Sequence, residues 1–335
     1  MNQDANAPIC RHTFAAQNLM DSHPPKVKNP NKKIVFDIAS PPEATHSGEI
    51  VFSRWKTMPL PPTVAPTPIQ TELEVREDHF TYESPSNASV EWYLNFAHSN
   101  LFCAYSGPLF AQDEMQAAEH PALGALREAL LAAAIEPLTV ESAQPTPILI
   151  RGVERRCAVA TEPNEKAGRP YGLYGNQFAK ASPEAIARAT TQLNPPTRTN
   201  LIAMEAPFGG YRQYLLEDIE YILSTAFTGF AAARLESQIE AANKPQVIIH
   251  TGFWGCGAYG GNRVLMTLLQ LLAAHLNQID KLVFHAGNHI GAQSFLRARE
   301  ILESDLLAES NEIVLPELLK KIEGMGFEWG VSDGN

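Results

Sequence analysis

Cysteine is scarce. The four present among 335 residues, Cys10, Cys103, Cys157 and Cys256, fall without CxxC spacing, which argues against a structural zinc site and suits reduced cytosolic thiols better than a disulfide frame. Long apolar runs are missing too: none reaches the ~18 residues of a membrane span. The opening MNQDANAPICRHTFAAQNLMDS lacks the basic start and continuous apolar core of a signal peptide, so a cytoplasmic protein is expected. Export by other routes leaves no mark in this test. Basic charge is in deficit, with 26 Lys and Arg against 37 Asp and Glu for a net charge of −11. That weighs against broad attraction to nucleic acid or an anionic membrane, and any polyanionic ligand must be held locally. What the chain has in quantity is hydrophobic residues, 44%, ample for a buried core.

Residues 1–46 are polar, carry HPPKVKNPNKK and contain one short apolar run, IVFDIA. They read as a partly disordered leader with one anchored piece, IVFDIA pairing as an edge strand or packing on the core. MPLPPTVAPTP, Met58 to Pro68, is expected to run extended over the surface. The body then alternates. ELEVREDHFTY and ASVEWYLNFA read as strands, and AQDEMQAAEHPALGALREALLAAA as a helix interrupted or restarted at Pro121. PILIRGV and NLIAMEA are short buried strands, RQYLLEDIEYILSTAFTGFAAARLESQIEAA a long helix, QVIIHTG a strand, NRVLMTLLQLLAAHL a buried helix and KLVFHAG a further strand. FLRAREILES and LPELLKKIEGM close the chain as helices. Alternating strands and helices predict an α/β sandwich with a largely parallel or mixed sheet, its ligands held at the carboxyl ends of strands.

One loop stands out. Between QVIIHT and NRVLMTLL, five glycines occur in the ten residues Gly252 to Gly261. A strand, a glycine loop and a helix starting near Asn262 would bring backbone N–H groups and the positive end of a helix dipole to one point, which suits a phosphate or diphosphate. Gly255, Gly257 and Gly260 formally match G-x-G-x-x-G, so a dinucleotide-binding unit is the rival. That unit wants an acidic residue closing the next strand, and KLVFHAG has none. A purely structural reading, glycines for tight strand–helix packing, stands beside both.

At these residues the chain resembles the poly(ADP-ribose) glycohydrolases. TGFWGCGAYGGNRVLMTLLQLLAAHL is similar to their diphosphate-binding segment, typically TGNWGCGAFGGD and a helix. NFAHSNLFCAYSGPLFAQDE is similar to their FAN strand end, GGG loop and QEE signature, with the same spacing. ILIRGVE, YGLYGNQF, NLIAMEA and YRQYL follow in the family's order, so the likeness runs over roughly residues 70 to 305. It implies a three-layer α/β/α macrodomain-like sandwich with a mixed sheet, residues 47–335 forming one catalytic domain behind the leader.

The resemblance assigns roles by position. Glu114 matches the acid that protonates the departing ribose oxygen and then deprotonates the attacking water. Asp113 takes the place of its glutamate neighbour, which holds ribose hydroxyls, and Gln112 completes the signature. Gly255, Cys256, Gly257, Ala258, Tyr259, Gly260 and Gly261 match the diphosphate loop, with Tyr259 where the family has phenylalanine against the ribose. Tyr174 matches the tyrosine that stacks on adenine. Paired carboxylates opposite an anion-binding loop are what cleavage of a glycosidic bond to ADP-ribose needs. Departures are Phe102-Cys103-Ala104 for GGG, whose side chains should narrow or reshape that part of the cleft, His98 for the asparagine of FAN, Phe253 and Asn262 in the glycine segment, and His285 with Gly287 for phenylalanines beside the adenine. Cys256 reads as a packing residue whose thiol a helix N-terminus would make more acidic. His250, His285 and His289 fit no common zinc spacing, so neither metal nor cofactor is expected.

The expected function is an ADP-ribosyl hydrolase that removes ADP-ribose from protein or from a poly(ADP-ribose) terminus, its partner being ADP-ribose or an ADP-ribosylated protein. The loss of GGG and FAN tilts the substrate toward mono-ADP-ribosylated protein. A binding module without turnover and a pure interaction scaffold are the alternatives.

Overall fold

The computed structural model describes residues 7–66, 68–82, 89–239, 244–308 and 312–334. Among these residues the strands are β1 (Pro8–Ala15), β2 (Glu49–Trp55), β3 (Thr63–Val64), β4 (Glu72–Arg76), β5 (Ser89–Phe96), β6 (Val140–Glu141), β7 (Gln144–Pro145), β8 (Ile148–Val159), β9 (Thr190–Met204), β10 (Gln246–Gly252), β11 (Lys281–His285) and β12 (Ile313–Val314). Among the described residues the α-helices are α1 (Ala16–Ser22), α2 (Pro30–Ala39), α3 (Gln112–Glu119), α4 (Ala122–Ala132), α5 (Pro183–Ala189), α6 (Leu216–Gln238), α7 (Arg263–Leu276), α8 (His289–Glu300) and α9 (Leu315–Gly324).

Eight strands form one mixed sheet in the order β1-β2-β8-β9-β5-β10-β11-β4. From β9 to β4 neighbouring strands run parallel, while β1, β2, β8 and β9 pair antiparallel. Apolar runs such as VIIHT and LVFH are buried on both faces, as parallel strands between two helical layers must be. One apolar core, holding Trp92, Ile249, Leu269 and Phe284, lies toward α6, α7 and α8. The other, holding Phe36, Phe102, Leu123 and Ile150, lies toward α2, α3 and α4. The fold is therefore a three-layer α/β/α sandwich, as the sequence predicts. Among the described residues, no helix is long and apolar enough to cross a membrane.

Two local expectations need correction. More of the leader is anchored than expected, because residues 8–15 are the edge strand β1; IVFDIA takes the second of its two expected placements, packing on the core as part of α2. Pro30 at the first helical turn and Asn29, whose side chain accepts from the Lys32 N–H, start that helix. Val35, Phe36 and Ala39 then face the core on one stripe. The second correction concerns PILIRGV and NLIAMEA, the ends of much longer strands that form an antiparallel ribbon of 12 and 15 residues. Residues 1–6, Thr67, Ala88 and Glu240 to Ala242, over which the sequence expectations also ran, lie outside the described residues.

Proline placement follows its chemistry. Pro121 caps the start of α4, where its missing N–H costs nothing, and the break at His120 separates α4 from α3. Within the proline-rich stretch, Thr63–Val64 form β3, which pairs with β12.

Candidate active site

The parallel strands β5, β9 and β10 end side by side, and the segments that follow them supply the candidate residues. After β5 come His98, the Phe102 loop and the first turn of α3; after β10 comes the glycine loop. Asp113 and Glu114 are buried in the first turn of α3. Glu114 closes that turn, its Oε2 accepting from the Ala111 N–H at 3.0 Å. Asp113 Oδ1 accepts from Asn95 Nδ2 at 3.0 Å, and the same Asn95 nitrogen donates to Gln116.

Burial disfavours ionisation of both acids. Desolvation raises the Asp113 pKa, and the adjacent Glu114 charge raises it further. Glu114 is also raised by desolvation, against a pull downward from Lys32 and a smaller one from His98. Lys32 itself is fully buried on α2, its Nζ donating to Ala104 O at 3.0 Å. Burial lowers its pKa to about 8, against the opposing charges of Glu114 and then Asp113. A cation from the leader thus stands beside the acid pair, a neighbourhood that shifts catalytic carboxyls elsewhere. Sequence reading missed it because hydropathy assigns a lysine in NPNKK to solvent.

Gln112 is brought to the same turn, but its side chain is committed to β5: Oε1 accepts from Phe96 N–H at 2.8 Å and Nε2 donates to Leu94 O at 2.9 Å. It anchors α3 and offers a ligand little. His98 is exposed, its Nδ1 accepting from the Asn100 N–H at 3.0 Å. Phe102 does not narrow the cleft. Its side chain is buried in the core on the α3 face, and its φ of 55° keeps the left-handed backbone that favours glycine. Cys103 is the exposed member of that loop.

The glycine loop is braced from beneath. Trp254 is fully buried and donates from Nε1 to Met204 O at 3.0 Å. Gly261 N–H donates to Gly255 O at 2.8 Å and Gly260 N–H to Gly257 O at 3.0 Å, so the loop doubles back on itself. Gly255 has φ +74°, and a Cβ there would stand 2.4 Å from Ala206 Cβ. Asn262 caps α7, accepting from the Val264 and Leu265 N–H groups, both at 3.1 Å. Those two donors are therefore satisfied within the helix start. Cys256 departs from the expected direction: burial pushes its thiol up to about 12.

Tyr259 joins the loop to the acid pair. Its hydroxyl donates to Glu205 Oε1 at 3.4 Å, and Glu205 also accepts the Ser99 N–H at 2.8 Å, tying the glycine loop to the segment bearing His98. Burial raises the Tyr259 pKa, with the negative charges of Glu205 and Asp113 adding to it. Glu205 is a second residue that sequence reading missed, although it follows the NLIAM strand end. On the other side Tyr174 keeps a partly exposed ring, and its enclosed phenol is pushed up to about 12 by burial and by Asp333. A hydrogen bond from the Gln112 backbone to that phenol places Tyr174 against the start of α3.

The family model described as Poly (ADP-ribose) glycohydrolase (PARG), Macro domain fold, matches residues 165–293. Over those residues the chain is similar to the PARG macrodomain family. The matched segment takes in Tyr174 and the glycine loop, with Asp113 and Glu114 outside it. Among solved PARG structures, that from Thermomonospora curvata aligns with TM-score 0.44 and 15% identity over 88% of this chain and 87% of its own. The Deinococcus radiodurans PARG in complex with ADP-ribose aligns with TM-score 0.42 and 14% identity over 90% and 99%. The T. curvata PARG bound to the inhibitor ADP-HPD aligns with TM-score 0.42 and 18% identity over 68% and 78%.

In this PARG-like chain the histidines form a buried chain of contacts. His250 Nδ1 and His285 Nε2 are 3.1 Å apart, His285 Nδ1 meets Asp78 Oδ1 at 2.8 Å, and Tyr93 stacks on His250 with centroids 4.2 Å apart. Burial lowers the His285 pKa. His289 stands apart from this group, against Glu77 at the surface. Among the described residues no three His, Cys, Asp or Glu side chains are grouped to hold a metal.

Proposed function

We propose that this chain hydrolyses the glycosidic bond of ADP-ribose attached to protein or at a poly(ADP-ribose) terminus, with Glu114 as general acid and base. The observation that carries the reading is Tyr259. It sits on the glycine loop within electrostatic reach of Asp113, so an anion on the loop would place its ribose beside the acid pair. Burial favours the protonated form of Glu114, the form that can donate to a departing oxygen. As the C1″–O bond breaks, the Glu114 proton passes to the leaving oxygen. The carboxylate left behind takes a proton from the water that attacks C1″, and the acid is restored. Asp113, fixed by Asn95, is the neighbouring acceptor for ribose hydroxyls.

The test is Glu114→Gln, measured for ADP-ribose affinity by calorimetry and for product release from mono-ADP-ribosylated and polymer substrates. The amide keeps an oxygen for the Ala111 N–H and removes the proton source. Binding should persist while turnover falls by roughly 10²–10⁴-fold, the range of a general acid–base contribution. Full activity in this variant would remove Glu114 from the mechanism; the wild-type preference between the two substrates identifies the substrate class.

A further inference from the structure

The segment that follows α9 returns across the glycine loop. Gly326 turns the chain at φ +70°. Phe327 O then accepts the Tyr214 N–H at 2.9 Å, and Trp329 N–H donates to Arg212 O at 2.8 Å. The Trp329 ring stacks on Tyr214 with centroids 3.9 Å apart, an anchor of large apolar area. Beyond it the chain lies against the loop proposed to bind diphosphate. Gly330 N–H donates to Gly260 O at 2.8 Å, and Asp333 N–H to Gly257 O at 3.4 Å. A Cβ on Gly260 would meet Gly330 O at 3.1 Å and Ser332 N at 3.2 Å; one on Gly257 would meet Asp333 Oδ2 at 3.1 Å. On the far side, Asn176 Nδ2 donates to Gly334 O at 3.2 Å, two residues from Tyr174, whose phenol feels the Asp333 charge. Residues 330–334 therefore cross from the glycine loop to the Tyr174 segment.

We propose that residues 330–334 are an autoinhibitory strap, with the Asp333 carboxylate seated where the loop would otherwise take an anion, and that ADP-ribose must displace it to bind. This inference rests on the reading of the glycine loop as a diphosphate site. The Asp333 carboxylate lies over Gly257, and the strap backbone is fastened to the carbonyls of Gly257 and Gly260, so a phosphate placed above these two residues would meet the strap and its charge. Release is easy: residues 330–334 are all exposed and bury no apolar side chain, while Trp329 holds the base of the strap. The apparent affinity is then the intrinsic affinity reduced by the fraction of molecules with the strap open.

The experiment is calorimetric titration of the full chain with ADP-ribose, comparing wild type with Asp333→Ala and Gly330→Pro. The first removes the competing charge, the second the N–H that fastens the strap to Gly260, and neither alters the glycine loop. Both variants should bind about tenfold more tightly or better, which corresponds to a strap closed in most molecules. Amide exchange at Gly330 and Asp333 should speed up when ligand is added to wild type. Equal affinities in all three proteins would overturn the strap while leaving the loop reading standing. Slower exchange on binding would overturn it too, because the segment would then close over the ligand. No binding by any of the three would overturn the loop reading and the strap with it.

Discussion

Replacing Gly255 by alanine tests whether the loop is held as tightly as its geometry demands. The residue sits at φ +74°, a conformation that costs a residue with a Cβ ~1–2 kcal/mol. The added methyl would stand 2.4 Å from Ala206 Cβ, 1.0 Å short of ordinary contact at 3.4 Å, with Met266 Cε at 3.2 Å on another side. Met266 can swing aside, being the end of a flexible chain, but Ala206 is fixed to the backbone after β9. Overpacking of this kind costs typically ~1–3 kcal/mol, so Gly255→Ala should destabilise by about 2–5 kcal/mol in urea denaturation. The cycle with Ala206→Gly separates the two parts. In that background the overlap vanishes and only the conformational part persists, giving a favourable coupling of ~1–3 kcal/mol between the sites. ADP-ribose affinity should follow the same pattern, lost in the single variant and partly restored in the double. A single variant costing under about 1 kcal/mol, or a coupling of zero, would refute the argument that Ala206 and the left-handed turn lock the loop.

Further substitutions probe the charges around α3 and the proposed acid. Because burial raises the folded-state pKa of Asp113, its protonation stabilises the fold below the unfolded value near 4, and that contribution is lost as pH rises through the folded value. Asp113→Asn should therefore stabilise the protein by roughly 1–3 kcal/mol at neutral pH and by almost nothing at pH ~4; equal effects at both pH values would contradict the shift. Lys32→Met removes the cation that draws the Glu114 pKa down, so the limb of the kcat/KM profile set by Glu114 should move to higher pH, whereas Lys32→Arg should leave it in place. An unmoved limb in Lys32→Met would show that the buried lysine serves packing alone. Glu114→Gln, with binding kept and turnover lost, and Asp333→Ala, with tighter binding, complete the set.

The body of the fold was legible from hydrophobic patterning. QVIIHTG, the glycine loop and NRVLMTLL became β10, loop and α7, with Asn262 as the cap, and the break at Pro121 fell where proline's missing N–H is tolerated. Patterning failed where side chains do two things. The leader is polar in composition, yet Val35, Phe36 and Ala39 recur at helical spacing, and the run is too short to outweigh its flanks by average hydropathy. Lys32 carries its buried charge among residues that normally face water, and only the three-dimensional meeting of α2 with α3 explains it. Phe102 was misread because identity was weighed without backbone: the position keeps a glycine-like turn while its ring leaves the cleft for the core. The strap GVSDG has no periodicity at all, so its placement over Gly257 and Gly260 had no signature to find.

The edge position of β1 gives the polar start of the chain a protective duty. Residues 8–15 hydrogen-bond along most of β2, from Pro8 beside Trp55 to Ala15 beside Glu49. Stripped of that cover, β2 would present IVFS as an open row of donors and acceptors to any other chain, the kind of template from which sheet-to-sheet aggregation grows. Trimming the chain to residues 47–335 would therefore open that edge, and would remove Lys32 from the neighbourhood of the acid pair in the same cut.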